Sequence, residues 1–241
     1  MKIAFCFSGQ PRDVRNTIEN IKNSWSKNHD VDFFYHSWWG NRHVSFRNDV
    51  PSDTYSENIF EYINRVLNPV NSLIESPIFF EKRYNDSAHW PCHHPVFNLN
   101  PDQNIQSMFY SMKQCNELKK NYEKQNNFLY DAVIKCRFDY IFSKQYNLRD
   151  FDLNCLHTKN DCMHTNYAIN DHIALSNSKN MDTYCSLFDS LEEHYNNGIE
   201  FNPEVILGYH VAVNGLQVSK TLGDGTESYV STQKERAKSY S

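Results

Sequence analysis

The sequence predicts a single α/β domain with a mixed, mostly parallel sheet flanked by helices. Three observations carry that expectation. Short β-rich apolar runs alternate with stretches of helical period from the N-terminus onward. The 241 residues are 39% hydrophobic and 15% aromatic, with 16 Phe and 15 Tyr, which supplies a substantial core and is too aromatic for a disordered chain. No internal repeat or linker-like stretch divides the chain, and 7 Gly and 8 Pro are too few for collagen-like or linker-rich architecture. The domain is expected over residues 1–222, with a polar tail at 223–241.

The elements follow in order. Lys2–Phe7 is an apolar strand that stops at the turn Ser8-Gly9-Gln10-Pro11-Arg12. Val14, Ile18, Ile21 and Trp25 then recur at helical spacing, with Pro11 suited to the first turn. Val31–Trp39 is a second strand ending in His36, Ser37, Trp38 and Trp39. Gly40–Thr54 is polar and loop-like. Ser56–Leu67 is a second helix, and Leu73–Phe80 a third strand that Pro77 confines to an edge or a bulge. Glu81–Leu99 has no period and carries His89, Trp90, His93 and His94 among prolines, a pattern shared by functional loops and by loops that pack on themselves. From Asn100-Pro101 a long helix lays Ile105, Met108, Phe109, Met112, Cys115, Leu118 and Tyr122 along one stripe. Tyr130–Lys144 is the central strand. Short strands follow near Cys155–His157 and over His172–Leu175. A helix capped by Ser178 then carries Met181, Tyr184, Phe188, Leu191 and Tyr195, Pro203–Val213 is a further helix, and Leu216–Leu222 is the last strand.

The net charge of −5 gives no reason to expect nucleic acid as a partner. Seven cysteines are scattered without CxxC spacing, so Cys92-His93-His94 and Cys162-Met163-His164 lack the pairing of a structural zinc site, and reduced, buried thiols are expected. No run approaches the about 20 apolar residues of a membrane span, and the N-terminal run is too short for a signal peptide. A cytoplasmic protein without an integral membrane segment is the expectation.

The stretch that organises the rest is YDAVIKCRFDYIFSK, Tyr130–Lys144. An apolar run that ends in Arg137-Phe138-Asp139 delivers charge to the edge of a sheet, where open α/β sheets bind ligands. Residues two apart on a strand share a side, so Arg137 and Asp139 either hold a metal-bound or anionic group together or form an internal ion pair capping a buried strand. The opening turn adds a strand, a glycine and a helix start beside Arg12, which is either an anion cradle or an ordinary βα turn. GxGxxG and GxxxxGK[ST] are both missing, which disfavours a Rossmann dinucleotide site and a P-loop.

The succession SGQPR, DVDFFYHSWW, SMFYSMKQCNELKK, YDAVIKCRFDYIF and NDHIALSNSKNMDTYCSLF resembles a group of small glycosyltransferase-like proteins of bacteria and large DNA viruses, and more distantly the GT-A nucleotide-sugar transferases, over roughly the first 215 residues. The resemblance implies a single-domain GT-A-like, Rossmann-like sheet. It implies a nucleotide-sugar donor contacted by Ser8, Gly9, Gln10, Arg12, Tyr110, Arg137 and Asp139, and a glycan or lipid-linked acceptor contacted by Trp38 and Trp39. GT-A enzymes carry Asp-x-Asp where this chain has Arg137-Phe138-Asp139. One carboxylate still permits Mn²⁺ or Mg²⁺, because phosphate oxygens and water supply the other ligands. Arg137 alternatively neutralises the phosphates itself. The resemblance implies Asp139 and His210 as metal ligands.

Transfer to a hydroxyl with inversion needs a base. Asp171, just before a strand, and Glu204, opening a helix, are the candidates, with Asp171 preferred. Their ordinary alternatives are a turn former and a first-turn helix acid. A catalytically silent nucleotide-sugar or glycan-binding module with the same fold is the competing expectation, favoured by the missing first Asp.

Overall fold

The computed structural model describes residues 1–25, 29–39, 58–84, 101–142, 145–159, 168–219 and 222. The expected loop at 40–54, the stretch with His89, Trp90, His93 and His94, the Cys162-His164 pair and the tail at 223–241 lie outside them. Among the described residues seven strands form one sheet in the order β3-β2-β1-β4-β6-β5-β7. These are β1 (Lys2–Gly9), β2 (Asp30–Trp38), β3 (Asn71–Glu75), β4 (Ala132–Cys136), β5 (Leu156–Thr158), β6 (Ile173–Ser176) and β7 (Val218–Ser219). The helices are α1 (Val14–Trp25), α2 (Ile59–Leu67), α3 (Pro101–Asn126), α4 (Ser178–Cys185), α5 (Leu191–Asn196) and α6 (Pro203–Val213). β6 alone runs against the rest, pairing antiparallel with both β4 and β5. The expected α/β fold, with a mixed, mostly parallel sheet of Rossmann-like layering, is the fold observed.

Both faces of the sheet are covered, which is why its central strands are apolar runs rather than alternating ones. Ile3, Phe5 and Phe7 of β1 and Ala132, Ile134 and Cys136 of β4 face α1 and α2, where Val14, Ile18, Ile21, Trp25, Ile59 and Ile63 close the layer. Ala4, Cys6 and Val133 face the other way, onto Ile105, Phe109 and Met112 of α3, Met181 and Tyr184 of α4, and Ile206 and Val211 of α6. Strand periodicity and helical periodicity therefore meet in two separate cores across one sheet.

Several boundaries differ from the sequence expectation, each for a local reason. β4 stops at Cys136 instead of running to Lys144. The next amide, Arg137 N–H, donates to the His172 carbonyl at 3.2 Å, and the chain turns at Phe138-Asp139. Beyond the turn, Asn20 of α1 holds the Phe142 backbone from both sides: its Nδ2 donates to the carbonyl at 3.0 Å and its Oδ1 accepts from the amide at 2.7 Å. β3 ends at Glu75, two residues before Pro77, which cannot donate to a ladder. α1 opens at Val14, so Pro11 stands outside its first turn, and Asp13 takes positive φ (51°) to start it. Asn177 rather than Ser178 caps α4, accepting from Asn180 N at 2.9 Å. The helix expected to continue through Tyr195 breaks at Ser186–Ser190 into a tighter turn. Ser186 Oγ donates to the Thr183 carbonyl there at 2.8 Å, the back-bonding that bends helices. The last strand shrinks to Val218–Ser219.

One polar group lies deep in the second core. Lys119 of α3 is fully buried and donates to Ser178 Oγ at 2.5 Å and Asp182 Oδ1 at 2.7 Å, with Glu123 Oε2 at 3.0 Å. Burial pushes the Lys119 pKa down, but Asp182 and Glu123 outweigh it and hold the ammonium charged. The network ties α3 to the start of α4. Lys119→Met keeps the aliphatic stem and leaves the buried Glu123 carboxylate without its cation. The expected loss is about 3 kcal/mol in urea unfolding, the low end for a broken buried pair because Asp182 reaches solvent. A loss below about 1 kcal/mol would place the network in solvent instead.

Candidate functional site

The direction of winding reverses between β1 and β4. β1 leads outward through β2 and β3, and the chain then returns to lay β4 on the other flank of β1. Crevices at such reversals, beyond the carboxyl ends of the strands, are where open α/β sheets bind ligands. Two stretches leave the sheet at this crevice, Gly9–Asp13 from β1 and Arg137–Asp139 from β4. Because β6 is antiparallel, its beginning lies at the same edge: Ile173 pairs with Cys136, which brings Asn170-Asp171-His172 alongside.

Arg137 and Asp139 form a two-point pair. Nε donates to Oδ1 at 2.8 Å and Nη2 to Oδ2 at 2.6 Å. Arg12 Nη1 lies 4.0 Å from the same Oδ2. Two guanidinium groups from the two arms of the crevice thus converge on one carboxylate. Burial alone would raise the Asp139 carboxyl, but Arg137 and then Arg12 hold it well below the usual carboxylate range. Phe138, between the two partners, turns inward and stacks on Phe7 with centroids 5.2 Å apart. Its carbonyl accepts from Thr17 Oγ1 at 2.5 Å, fixing the turn to α1.

Beside this pair stands Asp171, with His172 Nε2 at 3.4 Å from its Oδ1. Its backbone carbonyl accepts from Lys135 Nζ. Lys135 is a lysine within a strand whose five residues are all buried. Burial lowers its pKa, against the pull of Asp171. The Asp171 carboxyl is raised by burial and lowered more by His172, Lys135 and Arg137, so it stays ionised. Glu204 opens α6 nearby: its carbonyl accepts from Ile169 N at 3.1 Å, and Asn202 Oδ1 caps the turn through Glu204 N at 3.0 Å. Both candidate bases therefore come from adjoining segments.

Gly9 has a different part from the one its place in the turn implies. Its φ of 109° requires glycine, while a Cβ there would meet nothing within 4 Å, so the need is conformational rather than spatial. Its amide donates to Ser111 Oγ at 2.8 Å and its carbonyl accepts from Ser37 Oγ at 2.9 Å. Both backbone groups turn into the protein, and Gly9 shapes the turn. The chain of bonds continues from Ser111 Oγ to His36 Nδ1 at 2.7 Å, and from His36 Nε2 to Glu75 Oε2 at 2.8 Å. With Ser111 accepting from Gly9, its hydroxyl donates to Nδ1, and Nε2–H donates to the carboxylate. That assignment satisfies every member with a neutral imidazole. Burial lowers the His36 pKa accordingly, more than Glu75 raises it.

The remaining predicted residues scatter. Trp38 and Trp39 leave β2 toward opposite faces. Trp38 stacks on Tyr110 of α3 at 5.3 Å, whereas Trp39 meets Phe60 of α2 edge-on at 5.2 Å. They do not form one aromatic surface. Tyr110 lies among Trp38, Phe80 and Phe188, its pKa raised by burial and then by Glu75. Gln10 supports Arg12, accepting from Nε at 3.3 Å, and Ser8, the last residue but one of β1, pairs with His36. His210 is six residues along α6 from Glu204, roughly 9 Å by helical rise. Its Nε2 donates to the Thr183 carbonyl at 2.8 Å and its Nδ1 accepts from His194 Nε2 at 2.9 Å. Neither nitrogen keeps a lone pair for a metal. Among the described residues no group of three His, Cys, Asp or Glu side chains is arranged to hold an ion.

Glu75, Ser111, Lys135 and His172 were not singled out by the sequence. Lys135 had a readable signal, one charge inside an apolar strand. Glu75 and Ser111 had none, because only the β2–β3 register and the packing of α3 bring them to His36. No model of a known protein family matches the chain, and no curated protein sequence is significantly similar to it.

The electrostatics of the crevice give a pH prediction. Burial, aided by Arg137 and Lys135, pushes the His172 pKa from 6.5 down to about 4. Between those values the unfolded chain binds the proton and the folded chain does not. Stability from this group is full above pH 6.5 and is lost as pH falls through about 4, by up to about 3 kcal/mol. Denaturant unfolding at pH 7, 5.5 and 4.5 is expected to show stability falling with pH, and His172→Gln is expected to flatten that slope. Parallel pH dependence in the two proteins would mean that His172 titrates as it does in water.

Proposed function

We propose that the chain is a nucleotide-sugar-dependent glycosyltransferase with its donor in the crevice between β1 and β4. The observation that carries this reading is the meeting of Arg12 and Arg137 over Asp139 at the point where the winding of the sheet reverses. The order of the resembling stretches, from SGQPR to NDHIALSNSK, agrees with it.

In this reading the acceptor hydroxyl forms a bond to the anomeric carbon while the bond to the diphosphate breaks. The leaving group gains negative charge, and fixed cations at that place stabilise the transition state more than the ground state and so lower the barrier. Arg12 and Arg137 are those cations, held in place by Asp139, by Gln10 and by the Thr17 bond to the turn at Phe138. Asp171 takes the hydroxyl proton. Its ionised state at neutral pH suits a base, and its low pKa makes it a weak one. The acceptor is a glycan or a lipid-linked sugar. Among the described residues no helix is long and apolar enough to cross a membrane.

A second reading, a silent binding module of the same fold, draws support from one feature: both Asp139 oxygens are engaged by Arg137. Turnover separates the two. UDP-, GDP- and dTDP-sugars are tested for melting-temperature shift and for release of the nucleoside diphosphate with a sugar acceptor. The transferase reading expects both responses, and stabilisation without any release favours the module. Arg12→Ala is expected to weaken donor binding by about 10- to 100-fold, the worth of one or two charge-assisted hydrogen bonds, with the fold unchanged by circular dichroism. Asp171→Asn is expected to abolish transfer and spare donor binding. Unaltered donor affinity in Arg12→Ala would remove Arg12 from the site.

A further inference from the structure

We infer that Arg137 stands where a divalent cation would and that the crevice takes the diphosphate of its ligand on guanidinium groups, without a metal ion. The inference rests on the nucleotide-sugar reading and concerns how that ligand is held. It starts from a disagreement between the ligand set the resemblance implies and the residues present.

A divalent ion bound through Asp139 would need an oxygen of that carboxylate at about 2.0–2.1 Å for Mg²⁺. Both oxygens are already covered, Oδ1 by Nε at 2.8 Å and Oδ2 by Nη2 at 2.6 Å, in the fork geometry that makes arginine–carboxylate pairs strong. A second guanidinium, Arg12, lies 4.0 Å from Oδ2. An entering ion would have to displace Arg137 or take the outer lone pair of an oxygen that already accepts from it, and in either place would sit as a double positive charge beside two guanidinium groups. No second ligand offsets that cost among the groups named for it. His210 has both ring nitrogens committed to Thr183 and His194. The other carboxylate at the edge, Asp171, faces His172 and lies beside Lys135.

The layering of the charges points the same way. The side chains of Arg12 and Arg137 are 22% and 20% exposed, that of Asp139 only 7%. The cations form the lip of the crevice and the carboxylate lies beneath them. An arriving anion meets guanidinium first, and an arriving cation meets it too. The carboxylate thus orients the arginines rather than recruiting an ion, and planar guanidinium matches the paired oxygens of a phosphate. Asp139 is a positioning residue in this scheme and Arg12 and Arg137 are the contacts.

The test uses the full chain with UDP, GDP, dTDP and inorganic pyrophosphate as probes, in EDTA and in Mn²⁺, by melting temperature and titration calorimetry. The wild type is expected to bind at least one probe with affinity equal within about twofold in the two conditions. Arg137→Asp places two carboxylates two residues apart. It is expected to lose binding at least tenfold in EDTA, to regain it with Mn²⁺, and to be stabilised by Mn²⁺ alone. Should that variant not fold, Arg137→Lys keeps the charge and loses the fork. It is expected to bind more weakly than wild type and still without regard to Mn²⁺. Wild-type binding that requires Mn²⁺ overturns the inference and leaves the transferase reading standing, and loss of the Mn²⁺ response in Asp139→Asn would then place the ion on that carboxylate. No response to any probe in either condition overturns both.

Discussion

β1 is an inner strand of the sheet, hydrogen-bonded on both flanks and buried on both faces, and the rest of the molecule follows from that confinement. A strand so placed has one exit, over the end of the sheet, and the exit must clear β2 on one side and β4 on the other. Gly9 makes the first bend in a conformation that favours glycine, and Asp13 makes the second with positive φ before α1 begins. Between the bends Arg12 is carried over the crevice toward the turn that ends β4. Ser37 and Ser111 grip Gly9 from β2 and α3, so the position of Arg12 is referred to both cores at once.

Beneath that exit the polar groups form connected sets. Glu75, His36, Ser111 and the Gly9 amide make one chain. Arg137, Asp139 and Arg12 make another, and Lys135, Asp171 and His172 a third. Burial pushes Asp139, Asp171, Lys135, His36 and His172 toward their neutral forms. Asp139 and Asp171 resist because arginine and lysine stand beside them, while His36 and His172 yield and stay neutral. Such sets lose much of their strength when one member is removed, because the partner is left buried and unmatched. Their concentration at one edge of the sheet, rather than through the core, is the strongest structural reason to look for chemistry there.

The layers and most of the elements were legible in the sequence, because both depend on periodicity. The spacing of Val14, Ile18, Ile21 and Trp25 and the stripe from Ile105 to Tyr122 state the buried faces directly. The pairing of Arg137 with Asp139 was legible as one of two alternatives, although it arises in a turn beyond β4 and not on the strand. The boundaries were harder to read where a side chain rather than a pattern decides: Asn20 captures Phe142, Asn177 takes the cap from Ser178, and Ser186 bends the helix. Least legible were contacts between distant segments. Nothing near Glu75 announces His36, and nothing near His210 announces that His194 and Thr183 occupy its nitrogens. The likeness of neighbouring tryptophans was misleading for a simpler reason, since consecutive residues of a strand face opposite ways.

That divergence of Trp38 and Trp39 gives the sheet two optical reporters separated by its own thickness. Trp38 lies in the layer of α3, 4.8 Å from the His36 ring and stacked on Tyr110. Trp39 lies in the layer of α2 against Phe60. A charge on the imidazole would stand beside one indole and across the backbone from the other. Single-tryptophan variants would therefore report on the two halves of the molecule separately, one sensitive to the proton on His36 and the other to the packing of α2. A domain with one sheet and two cores carries, in adjacent residues, the means to ask whether those cores melt together.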